Sequence, residues 1–137
     1  MKLWKKLYNT VWLAFFSCVL IPEWMSVKIG YPVHIVIGIL LLYMTATNTS
    51  RLKAQPVPKR LVRISRVTMG FAIFQLVSGM ALGGILHLAP EIRYIPSILQ
   101  GVHIVCALAI LAQASSVATA YDMWEEKEFQ NELSGGA

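Results

Sequence analysis

From Gly30 to Thr47 the chain reads GYPVHIVIGILLLYMTAT, eighteen residues without one charged side chain. A hydrocarbon layer about 30 Å thick is crossed by about 20 apolar residues in helical form, and this stretch has the length and character of such a crossing. Three more runs of the same kind occur, from Leu7 to Met25, Val67 to Leu88 and Pro96 to Tyr121. None alternates as barrel strands do, and in a bilayer each backbone amide needs a partner within the protein. The sequence therefore predicts an all-α, integral membrane four-helix bundle, one domain over 1–137, with helices near 7–25, 30–47, 67–88 and 96–121. A hydrophobic share of 56% and a mean hydropathy of +0.59 agree with that class. Pro22 and Glu23 interrupt the far end of the first run.

A net charge of +5 could point to nucleic acid, but its distribution points to topology instead. Lys2, Lys5 and Lys6 precede the first helix, and Arg51, Lys53, Lys59, Arg60, Arg63 and Arg66 lie in a basic loop expected over 48–66. The other two loops carry only Lys28 and Arg93. By the positive-inside rule both termini and the middle loop are cytoplasmic, and no nucleic-acid partner is expected. The middle loop, with two prolines, is expected to lie along the anionic inner surface, or else to dock a partner. The tail over 122–137 holds five of the seven acidic residues and is expected to continue the last helix for a turn or two before fraying at SGGA. MKLWKK and the apolar stretch after it have the outline of a signal peptide. No small-residue cleavage site follows, so they read as a retained first helix.

The two halves of the chain resemble each other weakly. A slide of 58 positions matches Ala14, Phe16 and Val19 with Ala72, Phe74 and Val77, and a slide of 69 sets HIVIGILLL over HIVCALAIL. Apolar helices share residues by chance, but histidine is scarce in them. Here His34 and His103 recur near the start of the second helix of each pair, with Gly38 and Ala107 one turn deeper. A duplicated helical hairpin puts such positions around a pseudo-twofold axis. At 1.5 Å of rise per residue, the expected helix starts place the imidazoles about 5 and 10 Å below the outer surface. Two imidazoles on separate helices of a bundle can hold haem, one on each side of the iron.

Other residues fit around that pair. Gly38, Gly70, Gly79, Gly83 and Gly84 are small enough to admit a porphyrin face or, equally, a neighbouring helix through the Gly79-xxx-Gly83 spacing. Phe15, Phe16, Phe71 and Phe74 are candidates to pack on the ring, and Arg93, Lys28, Tyr31 and Tyr94 to meet its propionates. His87 has no counterpart in the first half. It reads as an interfacial residue or a propionate partner, with a copper or zinc site made by His34, His87 and His103 as the alternative. Cys18 and Cys106 sit in apolar runs without metal-binding spacing and read as free thiols. Deep Asp or Glu residues, which a proton-coupled antiporter needs, are absent from the runs, and no nucleophile–base pair or phosphate loop is found. Gln75, Gln100 and Gln113 read as interhelical hydrogen-bonding groups.

Two hairpins, each with a histidine on its second helix, resemble the small b-type membrane cytochromes and one half of the haem A synthase family. The residues that carry the likeness are HIVIG at 34–38 and HIVCA at 103–107. The resemblance implies haem b with His34 and His103 as axial ligands, in the plasma membrane of a prokaryote or an equivalent energy-transducing membrane. It implies a respiratory subunit more than an enzyme, taking electrons from a quinol or external donor and working with other membrane subunits. A cofactor-free accessory subunit, packing through its glycine faces, is the competing expectation.

Overall fold

A computed structural model describes residues 2–19, 27–88 and 94–135, with the side chains of 27–29, 84–88, 94–96 and 135 outside that description. The described chain is four α-helices: α1 (Leu3–Val19), α2 (Val27–Lys53), α3 (Lys59–Leu88) and α4 (Tyr94–Gly135). Three of them contain segments long and apolar enough to cross a membrane, Gly30–Lys53, Lys59–Gly83 and Ser97–Ser134. The described part of α1 has 17 residues, about 26 Å at helical rise, and residues 20–25 of the first apolar run lie outside the described residues. Large apolar side chains stand outward in mid-helix, with Val36 63%, Tyr43 65% and Val105 66% exposed. Apolar residues on every face suit a helix surrounded by lipid.

Each helix touches the two beside it in the order α1, α2, α3, α4 and back to α1. Among the described residues no Cα of α2 comes within 8 Å of one in α4, nor of α1 in α3. The bundle is therefore a ring of four with α2 and α4 on one diagonal. Bonds from Asn48 to Thr10 and between Thr49 and Ser65 join opposite ends of sequential helices, so neighbours run antiparallel.

Among the described residues, the starts of all four helices and the ends of α2 and α4 lie further out than the apolar runs predict, while α3 ends at Leu88 as expected. The expected loop over 48–66 shrinks to 54–58, because NTSRLK continues α2 and KRLVRISR begins α3. Pro56 and Pro58 stop the chain there: neither has an N–H to donate, and each disfavours helical geometry in the residue before it. The loop's apolar residues are core residues. Leu52, Val57 and Leu61 pack with Leu3, Leu7 and Tyr121 in a buried cluster that closes this end of the bundle. The Tyr121 hydroxyl donates to Gln55 Oε1 at 3.0 Å and ties α4 to the connector. The acidic tail likewise stays helical to Gly135 instead of fraying after a turn or two. At 42 residues α4 is about 63 Å long, twice the hydrocarbon thickness.

Four layers stack along the bundle axis. The closing apolar cluster comes first, then a buried polar layer of Thr10, Thr45, Asn48, Thr49, Ser65 and Thr68. An apolar plug of Ala14, Leu41, Ala72 and Ile110 follows, and the histidines lie beyond it.

Candidate functional site

His34 lies seven residues into α2 and His103 nine residues into α4, since both helices start earlier than expected. Measured along their own axes from the helix starts, they lie about 10 and 14 Å in at helical rise. Diagonal placement points both imidazoles across the interior. The ring centres stand 6.2 Å apart with the planes inclined at 47°. Both line a cavity of about 50 Å³, together with Ser17, Gly38, Gln75 and Gly79.

α3 fixes the orientation of His103. The Ser78 hydroxyl donates to the Gln75 carbonyl at 3.1 Å, and the same oxygen lies 3.1 Å from His103 Nδ1. A hydroxyl has one hydrogen, so with it on the carbonyl Ser78 Oγ accepts from Nδ1–H. In that arrangement Nε2 of His103 carries the ring's lone pair, one of the two nitrogens through which a neutral imidazole binds a metal. Gly79 makes room for the ring: a Cβ there would stand 3.0 Å from His103 Cε1. One turn on, a Cβ at Gly83 would fall 2.6 Å from the Tyr31 hydroxyl oxygen. The two glycines thus admit a histidine and a tyrosine side chain, not the backbone of another helix.

A metal–imidazole bond of about 2 Å puts the metal about 3 Å from the ring centre, so two rings on opposite sides of one ion stand about 6 Å apart. The observed ring separation is of that size. The surrounding space is tighter. The cavity of about 50 Å³ holds a few waters or an ion. Pockets for drug-sized ligands run to about 300–1,000 Å³. As packed, the space does not hold a macrocycle, which requires lining side chains such as Leu76 and Met80 to turn away. Gln75 Oε1 is buried without a hydrogen-bond partner among the described residues, an acceptor at this same cavity.

The other expected residues divide. Gly38 lines the cavity, and a Cβ added there would meet Leu76 at an ordinary 3.9 Å, while one at Gly70 would meet nothing within 4 Å. Phe15, Phe16 and Phe74 face outward, and Phe71 packs on the apolar plug, so none of the four lines the histidine cavity. Arg93 and the side chains of Lys28, Gly84, His87 and Tyr94 lie outside the described residues. Among the described residues no group of three or more His, Cys, Asp or Glu side chains could hold a metal. Cys18 and Cys106 are free, Cys106 buried and Cys18 partly exposed. Gln113 accepts from Thr68 at 3.0 Å as an interhelical bond, and Gln100 is exposed.

Two features were not foreseen, Ser78 as the partner of His103 and the polar layer around Asn48. The second has a signal in the sequence. Thr45, Asn48 and Thr49 at i, i+3 and i+4, and Ser65 and Thr68 three apart, each mark one face of a helix. No protein-family model, no curated protein and no solved structure matches the chain.

Proposed function

We propose that this chain is a membrane subunit that binds one haem b through His34 and His103 and serves electron transfer within a larger redox assembly. The observation that carries the reading is the 6.2 Å spacing of two imidazoles from diagonal helices. A bound haem supplies a one-electron carrier. The chain's own residues hold and tune it. Ser78 orients His103 with Nε2 as its ligating nitrogen, Gly79 seats its ring, and the Ala14, Leu41, Ala72 and Ile110 plug excludes water below. In this reading Arg93 and His87 meet the propionates, Gly38 lies beside the ring, and a quinol or a partner subunit exchanges the electrons. The Lys and Arg distribution supports a cytoplasmic location for both termini and the 54–58 connector, and the matched histidines support descent from a duplicated hairpin.

The size of the cavity favours a second reading, a cofactor-free accessory subunit whose helices pack against larger partners. An optical spectrum of the purified protein separates the two. Reduced-minus-oxidised b-type bands that vanish in His34→Ala and His103→Ala, and persist in His87→Ala, support the first. A colourless protein leaves the second. Equal loss in all three variants rejects the ligand assignment.

A further inference from the structure

The polar layer borders a second cavity, separate from the histidines and unused by the function proposed above. It measures about 20 Å³ and is lined by Thr10, Thr45, Asn48, Ser65 and Thr68, with Ala114 and Val117 of α4 among its apolar walls. The hydrogens around it are all engaged. Thr10 and Thr45 donate to the carbonyls of Lys6 and Leu42, each at 2.9 Å, and the one hydrogen of Thr68 is shared between the Ile64 carbonyl and Gln113 Oε1, each at 3.0 Å. Thr49 has the carbonyls of Thr45 at 2.8 Å and Ser65 at 3.2 Å as acceptors, and with its hydrogen on either of them the Ser65 hydroxyl donates to Thr49 at 2.7 Å.

Asn48 is 3% exposed, and its Nδ2 donates to Thr10 Oγ1 at 2.8 Å and the Lys6 carbonyl at 3.4 Å. The opposite amide orientation would set Oδ1 against the Lys6 carbonyl and take the Thr10 hydrogen from that carbonyl, so the orientation with Nδ2 toward α1 is the better bonded. Oδ1 therefore turns away from α1, and it is buried without a partner among the described residues. The polar wall of the cavity is made of oxygen lone pairs.

Such a wall calls for a guest that is positive or that donates hydrogen. The volume exceeds the roughly 10–15 Å³ that one water-sized guest needs. No carboxylate lines the cavity, and protein sites for hard divalent ions rely on carboxylates. Uncharged oxygens replacing a hydration shell are the means by which membrane proteins hold alkali ions. We propose that this cavity binds one desolvated monovalent alkali cation, held by Asn48 Oδ1 and hydroxyl oxygens of Thr10, Thr45, Ser65 and Thr68. Such an ion joins α1, α2 and α3 through their polar side chains, so the assembled bundle depends on it.

The test is a thermal melt of the full chain in detergent at equal concentrations of sodium, potassium and choline chloride. At about 100 times the dissociation constant the bound ion raises Tm by about 5 °C or more over choline. Equilibrium binding of radioactive sodium or rubidium to the wild-type protein gives one ion per chain. Asn48→Leu removes both responses, and Asn48→Asp tightens binding by about tenfold or more through its added charge. Should Asn48→Leu fail to fold, the direct binding measurement on the wild type still decides. Equal melting in all three salts with no bound radiolabel overturns the proposal and assigns the cavity to a water.

Discussion

Replacing Gly79 by alanine tests the seat of His103 with one methyl group. The added Cβ stands 3.0 Å from Cε1, 3.7 Å from Nδ1 and 3.9 Å from Nε2 of that ring. Carbon atoms settle at about 3.5–4.0 Å, so ring and methyl must part by at least about 0.5 Å. Ligand distances at a metal hold to within about 0.2 Å, so this displacement breaks the match between the histidines. Gly70 and Gly101 supply the control, since a Cβ at either meets nothing within 4 Å. All three substitutions gain about 1 kcal/mol of helix propensity, and only Gly79→Ala adds a collision. Haem titration of the purified proteins, followed by absorbance beside thermal melts, reads both effects. Gly70→Ala and Gly101→Ala should keep or raise Tm and leave haem affinity unchanged. Gly79→Ala should weaken it at least about tenfold. If Gly79→Ala binds haem as Gly101→Ala does, the ring does not sit in that notch and the reasoning fails.

Ser78→Ala removes the acceptor for His103 Nδ1–H and should weaken haem binding by about 10–100-fold, with Ser78→Thr restoring it; nitrogen NMR of the imidazole tests whether the tautomer changes with the affinity. Leu52 is fully buried where the short connector meets α1 and α4, so Leu52→Ala should destabilise the bundle by about 2–5 kcal/mol in a denaturant titration, whereas a solvated loop there would show almost no change. Residues 126–134 are all exposed, and ending the chain after Glu125 should leave stability within about 0.5 kcal/mol of the full length; a larger loss would mean that the tail packs on the bundle.

The four helices were legible because lipid leaves the backbone few alternatives, and an apolar run such as 30–47 is a direct consequence. Their ends were less legible. Hydropathy marks where lipid stops, not where a helix stops, so NTSRLK and KRLVRISR read as loop although both are helical. Leu52 and Leu61 among those charges were the signal that this segment has an inner face. The sequence offered His34 and His103 as a pair that meets if both point inward, but the partners of His103 were not legible, because Ser78 and Gly79 lie on α3, about 25 residues away in the chain. Glycines spaced four apart suggest a helix contact as readily as the side-chain notches found at Gly79 and Gly83. Likewise the outward turn of Phe15, Phe16 and Phe74 reflects lipid as solvent, in which an exposed aromatic carries no penalty.

X-ray absorption at the iron edge of the purified protein tests the central assignment most directly, because scattering from imidazole rings reports the ligands themselves. Bound iron with both imidazoles at about 2 Å is expected, one of them lost in each of His34→Ala and His103→Ala. Absence of iron, or an imidazole signal unchanged in either variant, contradicts the assignment.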